Sequence, residues 1–378
     1  MKKIGVIGSG TMGIGIAQVA AMNACTVFLY DNNGAQIDQA LHHLQNLLEK
    51  LVAKQKTSKE QATEIMANIK SCKRLEDLKH CDLIIEAIVE SKELKIKVFQ
   101  ELENHISDHC IIGSNTSSIS ITSLSSGLSI PQRFIGVHFF NPAPLMPLVE
   151  VIPGLLTDLN LPQQICKLMQ SWGKVSIFAK DVPGFIVNRI ARPYYGEALR
   201  IVEEKIASPQ QVDEAMRLLG NFRMGPFELM DFIGIDVNLA VSTTVFRDYF
   251  YDPKYKPSLL QQRMDEAKLH GRKTGRGFYD YSEGAERPQA QKDEVLYRQI
   301  FLRIIAMLIN EAVEAKRLEI ASDEDLELAV QKGLNYPKGL LGWGREIGYS
   351  VISQTLQTLY EEYQEERYRQ SPLLKKLH

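Results

Sequence analysis

KIGVIGSGTMGIGIAQVAAMN, residues 3–23, joins an apolar run typical of a buried strand to a small-residue helix through the spacing G-x-G-x-x-G. Each glycine has a separate use in such a turn. Gly8 permits the tight turn, Gly10 lets the backbone approach a pyrophosphate, and Gly13 lets helix and strand pack closely. The stretch therefore predicts an α/β, Rossmann-type dinucleotide-binding domain at the N-terminus.

The second predicted strand favours NAD as the dinucleotide. CTVFLYD ends at Asp31, eighteen positions after Gly13. A carboxylate there can accept hydrogen bonds from both ribose hydroxyls and would repel the 2′-phosphate of NADP, and residues 32–37 contain no Arg or Lys. Thr11 and Met12 begin the helix whose N-terminal N–H groups suit the phosphates. From this motif alone, an FAD protein, a nucleotide-sugar dehydrogenase or an unrelated Gly-rich turn remain alternatives.

Two further strands are predicted to end in polar residues. CDLIIEAIVE (81–90) and CIIGSNTSS (110–118) each begin as buried apolar runs. In doubly wound sheets, ligands bind at the carboxyl ends of the strands. Ordinary helix capping is the alternative use of the Ser and Thr side chains. The residues expected to face the cofactor crevice are Glu86, Glu90, Asn115, Thr116, Ser117 and Ser118.

One histidine and one glutamate lie inside an otherwise apolar stretch, FIGVHFFNPAPLMPLVEVI (134–152). The stretch predicts two strands joined by a proline-containing bend, and an unpaired Glu150 there would be costly. His138 is the nearest partner across the bend. A carboxylate on one imidazole nitrogen fixes the tautomer and leaves the other nitrogen to exchange a proton with a substrate hydroxyl. A core histidine satisfied by the backbone is the alternative, but the adjacent Asn141 and the serine cluster favour the reactive arrangement.

The C-terminal half contains an internal repeat. Residues 189–234 and 303–348 align without a gap and share twelve identities in forty-six positions, where chance would give about three. Asn188, just before the first copy, aligns with Leu302. The first copy therefore keeps the polar residue that a reaction would use, and we expect the second to be structural. The identities include Glu197 with Glu311, Ser208 with Ser322, and Gly225 with Gly339.

The repeat and the N-terminal motif divide the chain into three parts. We predict a dinucleotide-binding domain over 1–182, a first helical module over 183–285 and a second over 294–378. The polar stretch 282–293 contains Gly and Pro and predicts a linker. YEEYQEERYRQ (360–370) predicts a charged helix near the C-terminus. The segment 34–70, outside the repeat, predicts one or two amphipathic helices.

Composition limits the class of protein. The chain has 378 residues, 44% of them hydrophobic, and a net charge of −2, so nothing indicates nucleic acid as a partner. No uncharged run is both long and apolar enough to span a bilayer, and the spaced glycines argue against a signal peptide. Five cysteines without CxxC spacing predict buried free thiols in a reducing compartment rather than a metal site, so a cytoplasmic location is expected.

The chain resembles the 3-hydroxyacyl-CoA dehydrogenases in seven motifs: GSGTMGIGIA, EAIVES, SNTSS, GVHFFNPAPLMPLVEVI, DVPGFIVNRI, GPFELMDFIG and KTGRGFYDY. They run in the family's order over about residues 1–285, and the second module extends the resemblance to about residue 355. The family pairs a Rossmann domain with an all-helical C-terminal domain. The resemblance implies reversible, NAD-dependent oxidation of the 3-hydroxyl of an acyl-CoA, as in the β-oxidation of fatty acid metabolism.

The resemblance also implies roles for individual residues. His138 would be the general base and Glu150 its orienter. Ser117 would contact the substrate hydroxyl or carbonyl, and Asn188 would contact the substrate and help hold the cofactor. Positions that match NAD contacts in the family are Asp31, Glu90, Lys95, Asn141 and Lys273, and we add Asn115 to the cofactor-binding set.

Contacts to CoA are harder to assign, because residues 34–70 match the family poorly in detail. Lys50, Lys54 and Lys56 are clustered there. Such a charge run is usually a solvated face, and binding of a phosphorylated substrate is the sharper alternative. Lys50 and Lys54 are the candidates for substrate binding.

Two other functions remain as alternatives. One is an NAD-linked dehydrogenase of a free β-hydroxy acid, since 6-phosphogluconate-type enzymes share this architecture. The other is a non-catalytic NAD-binding sensor. Single-module members of the family pair their helical domains across a two-fold dimer, and a tandem copy can supply the same face within one chain. We therefore expect that the chain can exist as a monomer, with further oligomerisation optional.

Overall fold

A computed structural model describes residues 1–286 and 288–377 of the protein. The chain forms two compact units. The first comprises Met1–Val182, and the second begins at Pro183.

The first unit is built on one eight-stranded sheet. Its strands are β1 (Lys3–Ile7), β2 (Thr26–Tyr30), β3 (Ile69–Cys72), β4 (Leu83–Glu86), β5 (Ile111–Ser114), β6 (Phe134–Phe139), β7 (Leu148–Pro153) and β8 (Val175–Phe178). Their order is β3-β2-β1-β4-β5-β6-β7-β8. The first six are parallel, and β7 and β8 run in the opposite direction. The predicted Rossmann-type fold is confirmed, because the parallel part has the order 3-2-1-4-5-6.

Helices connect these strands and cover the sheet. They are α1 (Thr11–Met22), α2 (Gly34–Ala53), α3 (Lys59–Asn68), α4 (Lys92–Glu103), α5 (Ile121–Ser125) and α6 (Leu161–Ser171). The prediction of two amphipathic helices within 34–70 is confirmed by α2 and α3. They are separate because Ser58 starts α3 with a capping box, in which Ser58 and Gln61 satisfy each other's backbone N–H groups.

The interior of the first unit explains its cysteines. Strands β1, β4 and β5 are almost wholly buried, as expected of parallel strands covered on both faces. All five cysteines are buried and unpaired, which confirms that part of the prediction. Burial raises the pKa of Cys72 to about 11 and that of Cys110 to about 12, so these thiols are inert at neutral pH.

The second unit is helical. Its α-helices are α7 (Val187–Ile190), α8 (Arg192–Glu203), α9 (Pro209–Gly220), α10 (Pro226–Ile233), α11 (Ile235–Asp248), α12 (Leu259–Glu266), α13 (Glu294–Arg317), α14 (Asp323–Leu328), α15 (Leu340–Ile347) and α16 (Tyr349–Tyr363). The described residues between 282 and 293 form neither helix nor strand, as expected of a linker.

The repeat seen in the sequence is also a repeat of structure. Helices that begin at Pro209, Pro226 and Ile235 recur 114 positions later as helices that begin at Asp323, Leu340 and Tyr349. Gly225 and Gly339 are required for the same steric reason. A Cβ on Gly225 would lie 2.3 Å from Asp213, and one on Gly339 would lie 1.9 Å from Glu327. Each of these carboxylates accepts backbone N–H bonds in the first turn of the helix that follows the glycine.

Two buried ion pairs connect the two copies of the repeat. Arg189, at the start of the first copy, donates from Nε to Glu311 Oε1 of the second at 2.5 Å. Arg303, at the equivalent position of the second copy, donates to Glu197 Oε1 of the first at 2.6 Å. Both carboxylates are fully buried. Such reciprocal contacts are those of an isologous interface, here formed within one chain.

The predicted charged helix over 360–370 is wrong in its C-terminal half. Helix α16 ends at Tyr363, and Gln364 has the left-handed backbone conformation (φ 52°) that terminates it. Arg367 and Tyr368, which follow, are buried, and Tyr368 donates to Glu197 at 2.6 Å. This buried contact outweighs the local helical pattern.

The described residues include no single helix that is long and apolar enough to cross a membrane. Helices α10 and α11 meet that criterion only when joined, and they are bent by 101° at their junction.

Candidate active site

The glycine-rich turn has the geometry expected of a dinucleotide cradle. A Cβ on Gly8, whose φ is +100°, would lie 2.6 Å from the carbonyl oxygen of Ala87, and one on Gly13 would lie 1.8 Å from that of Gly8. A Cβ on Gly10 would meet no protein atom within 4 Å. Gly10 is also the N-cap of α1 and has no side-chain cap. The first N–H groups of α1 therefore remain for an anion such as a pyrophosphate.

Asp31 is tied to this turn. Its Oδ2 accepts hydrogen bonds from the backbone N–H of Ser9 at 2.7 Å and from the Ser9 hydroxyl at 2.8 Å, while Oδ1 accepts from Asn33 N at 3.0 Å. A carboxylate has about four acceptor sites, so capacity is left for ribose hydroxyls. The residues present thus fit NAD at the crevice where the strand order reverses between β1 and β4.

A buried ion-pair cluster lies at the end of β4. Lys95, only 1% exposed, contacts Glu86 Oε1 at 2.5 Å and Glu90 Oε2 at 3.2 Å. Burial raises the pKa of Glu86, against the effect of Lys95. Burial also opposes the charge of Glu90, but Lys95 and hydrogen bonds from Thr116 and Ser117 hold its pKa below the usual value.

Two predicted crevice residues are placed differently. Glu86 and Thr116 are buried, so the prediction that they face the crevice is wrong. Glu86 is held inside because its carboxylate accepts from Ser114 Oγ at 2.6 Å and Ile88 N at 2.7 Å, in addition to Lys95. The ammonium of Lys95 is likewise enclosed by protein acceptors. The cofactor contact that the resemblance implies for Lys95 stays a prediction, and the contacts of Lys95 with Glu86 and Glu90 also orient Glu90.

One carboxylate oxygen of Glu90 accepts hydrogen bonds from the serine loop, residues 116–118. Its Oε1 accepts from Thr116 Oγ1 at 2.6 Å, Ser117 N at 3.0 Å and Ser118 Oγ at 3.3 Å. Helix α5 is capped by Ser120 rather than by these residues. Ordinary capping therefore does not explain Ser117. Asn115 connects the same loop to β6, since its Oδ1 accepts from Phe139 N at 2.8 Å.

The predicted partnership of His138 and Glu150 is confirmed as a contact. The two residues lie directly opposite each other in the antiparallel register of β6 and β7. His138 Nδ1 lies 2.7 Å from Glu150 Oε2, and both side chains are buried. Because Nδ1 faces the carboxylate, any proton exchange with a substrate falls to Nε2. The two strands that the sequence predicted thus bring the two residues together.

A pocket that the sequence analysis missed adjoins the glycine turn. It has a volume of about 660 Å³ and is lined by Ser9, Gly10, the residues Pro142–Leu145 and one face of α2. On α2 the lining includes Leu44, Leu47 and Leu51. The sequence does contain a signal for this pocket. The three leucines are spaced so that they share one face of the helix, and Leu47 is exposed on that face. Lys50 and Lys54 are exposed at the end of the same helix, and Asn141 is exposed beside the pocket.

The remaining predicted residues belong to the second unit. Asn188 lies on α7, and its backbone oxygen accepts from Arg192 Nε at 2.8 Å. Lys273 pairs with Asp236 at 2.5 Å. In the second copy, Leu302 lines an open groove of about 830 Å³. Across the described part of the chain, no three His, Cys, Asp or Glu residues are grouped so that they could hold a metal ion.

Comparison with known proteins gives matches along the whole chain. The model for the 3-hydroxyacyl-CoA dehydrogenase NAD-binding domain matches residues 3–182. The model for the C-terminal domain of the same family matches two segments, residues 184–281 and 300–378. The second match supports the duplication inferred from the sequence.

Individual relatives agree with these models. A 3-hydroxyadipyl-CoA dehydrogenase of Escherichia coli is 34% identical over 99% of this chain and 97% of its own length. A 3-hydroxybutyryl-CoA dehydrogenase of Clostridioides difficile is 44% identical over 74% of this chain and 99% of its own length. The crystal structure of a 3-hydroxybutyryl-CoA dehydrogenase from Escherichia coli superposes with a TM-score of 0.94 at 33% identity, covering 99% of this chain and 98% of that one.

Proposed function

Because the chain belongs to the 3-hydroxyacyl-CoA dehydrogenase family and is therefore an NAD-dependent oxidoreductase, we propose that it oxidises 3-hydroxyacyl-CoA thioesters with His138 as general base. The observation that carries this proposal is the buried contact of 2.7 Å between His138 and Glu150. A carboxylate on Nδ1 holds the ring in the tautomer whose Nε2 can accept a proton.

In the proposed reaction, His138 Nε2 removes the proton of the 3-hydroxyl group. Glu150 stabilises the imidazolium that forms, and general-base catalysis of this kind contributes roughly 10²–10⁴-fold in rate. When bound, NAD supplies the acceptor for the hydride from C3 of the substrate. In the reverse direction the protonated His138 returns its proton to the substrate oxygen.

Ser117 and Asn188 are proposed to hold the reacting oxygen. A hydroxyl and an amide donor suit an oxygen that gains negative charge during reduction. Glu90 supports this role for Ser117, because it fixes the loop by accepting the backbone N–H of Ser117 and the hydroxyl of Thr116. Lys95 and Glu86 in turn hold Glu90 in place from the buried side.

We infer that the pocket beside α2 takes the pantetheine arm of CoA. Its wall of leucines and prolines suits the methyl and methylene groups of that arm. Lys50 and Lys54, at the exposed end of the same helix, are then the candidates for the CoA phosphates. Their charges would be screened in open solvent, so we expect each lysine to contribute modestly to the affinity for CoA.

Cofactor preference provides a first prediction. NAD should be preferred over NADP by at least about tenfold in kcat/KM, because Asp31 repels a 2′-phosphate and no base follows it. Asp31→Ala should reduce that preference. Ser9→Ala, which removes only one hydrogen bond to Asp31, should largely keep it. Steady-state kinetics with both cofactors measure this, and equal use of NAD and NADP by the unmodified protein would refute the assignment of Asp31.

The substrate class is tested by comparing thioesters with free acids. We expect kcat/KM for 3-hydroxybutyryl-CoA to exceed that for free 3-hydroxybutyrate by orders of magnitude, because the free acid leaves the α2 pocket empty and remote binding energy is lost. A profile over chain length and over ω-carboxylated acyl groups then identifies the preferred thioester. Preference for the free acid would favour the β-hydroxy acid alternative, and absence of any turnover would favour a sensor.

A further inference from the structure

We propose that Glu311, which the second helical copy supplies, is a positioning residue for Asn188 and acts through Arg189. This inference rests on the proposed function, because it takes Asn188 as a substrate contact. It gives the second copy a part in the reaction although that copy has Leu302 in place of Asn188. All the residues that carry it lie in the second unit.

Asn188 lies on a single helical turn. Helix α7 has four residues, Val187–Ile190, and only Ala191 separates it from α8. It follows two successive residues with positive φ, Gly184 at +74° and Phe185 at +47°. A non-glycine residue keeps such a conformation only when its surroundings enforce it. The orientation of Asn188 therefore depends on side chains that anchor this segment.

Arg189, the next residue after Asn188, is one polar anchor of this segment, in addition to the bond from Arg192 to the Asn188 backbone oxygen. Its Nε donates to Glu311 Oε1 at 2.5 Å, and both side chains are almost wholly buried. Tyr255 donates its hydroxyl to the same carboxylate oxygen at 2.7 Å. Burial works against the charge of Arg189, but Glu311 and the neighbouring tyrosines raise its pKa above the ordinary value. The pair is thus ionised, and loss of Glu311 would remove the carboxylate that compensates the buried charge of Arg189. Glu311 itself has a second cationic partner, because Lys254 Nζ lies 3.1 Å from its Oε2.

The repeat provides an internal control for this anchor. On the opposite side, Arg303 donates to Glu197 at 2.6 Å, and Tyr368 donates to Glu197 at 2.6 Å. The guanidinium of Arg189 lies 5.3 Å from the ring centre of Tyr249, and that of Arg303 lies 5.0 Å from that of Tyr363. The two clusters differ in two respects. Arg303 has a second carboxylate partner, Glu204 Oε2, 2.9 Å from its Nη1, and a different residue precedes each arginine. Asn188 precedes Arg189, whereas Leu302 precedes Arg303.

This difference separates positioning from stability. Glu311→Gln and Glu197→Gln each remove a buried carboxylate from the corresponding ion pair of the two copies, although Arg303 keeps Glu204 as a second acidic partner. Both should lower Tm, but only Glu311→Gln disturbs the residue next to Asn188. We expect kcat per folded site to fall about tenfold to a hundredfold in Glu311→Gln relative to Glu197→Gln, since a displacement of about 1 Å near the chemistry costs that much.

A double-mutant cycle with Asn188→Ala completes the test. If Glu311 acts through Asn188, Glu311→Gln should add little to the loss of kcat in the Asn188→Ala background, while its effect on Tm persists. Tyr255→Phe and Tyr368→Phe, which each remove one hydroxyl from the two clusters, form a milder matched pair. They decide the question in the same way if a charge variant fails to fold.

The outcomes are distinct. Selective loss of kcat in Glu311→Gln that vanishes in the Asn188→Ala background supports the inference. Equal losses in Glu311→Gln and Glu197→Gln, or full additivity with Asn188→Ala, overturn it and leave the proposed function standing. An unmodified protein that oxidises no 3-hydroxyacyl-CoA would overturn the proposed function first, and this inference with it.

Discussion

His138→Gln is expected to lower kcat by about two to four orders of magnitude, the usual contribution of a general base. Glutamine retains a polar side chain of similar length but cannot take a proton from the 3-hydroxyl group. Binding of NAD should remain nearly unchanged, because the glycine turn follows β1 and Asp31 follows β2, whereas His138 lies on β6. Steady-state kinetics together with fluorescence titration of NADH measure the two effects separately.

Glu150→Gln should also lower kcat and should change its pH dependence, because His138 loses the carboxylate that orients it. His109→Gln is the matched control, since His109 is exposed and lies outside the site, and it should retain full activity. If His138→Gln kept more than about a tenth of the activity, general-base catalysis would belong to another residue.

Removal of the second helical copy is expected to have the next largest effect. A chain that ends near residue 293 loses Arg303 and Glu311, so Glu197 and Arg189 lose these ion-pair partners. It also loses helix α13, which packs against α8 and α9. The fragment should therefore aggregate or dimerise, whereas the full chain should be able to remain a monomer. Sedimentation velocity distinguishes these states.

The reciprocal ion pairs explain why two fragments would form a specific dimer rather than an irregular aggregate. Arg189 and Glu197 of one fragment occupy the positions that would complete Glu197 and Arg189 of another. A truncated Glu197→Gln fragment should dimerise less than the truncated parent. A fragment that is monomeric, soluble and fully active would contradict this account, and so would binding of a second NAD or CoA per full chain.

Local patterns predicted the elements that contain the site. The glycine spacing located the cradle, and the apolar runs on either side of the proline bend predicted two strands. Glu150 could be paired with His138 from the sequence because a charge in an apolar strand requires a partner. The alignment of the repeat likewise predicted that the helices of the second copy would follow those of the first.

Contacts between distant parts of the chain could not be predicted in this way. Arg189 and Glu311 are 122 positions apart, and only packing of the two copies brings them together. Glu86 followed the pattern of a crevice residue, but inside the protein it pairs with Lys95 and accepts a hydrogen bond from Ser114. The end of α16 was missed for the same reason, since Tyr368 is drawn into the Glu197 cluster.

The fate of the hydrogen on C3 shows whether the protein transfers a hydride from a 3-hydroxyacyl-CoA to NAD. We propose incubating the unmodified protein with NAD and 3-hydroxybutyryl-CoA that carries deuterium at C3, followed by mass spectrometry of the products. We expect one deuterium in each NADH formed and one 3-oxobutyryl-CoA for each NADH. Loss of the deuterium to water, or formation of NADH without the 3-oxo thioester, would contradict it.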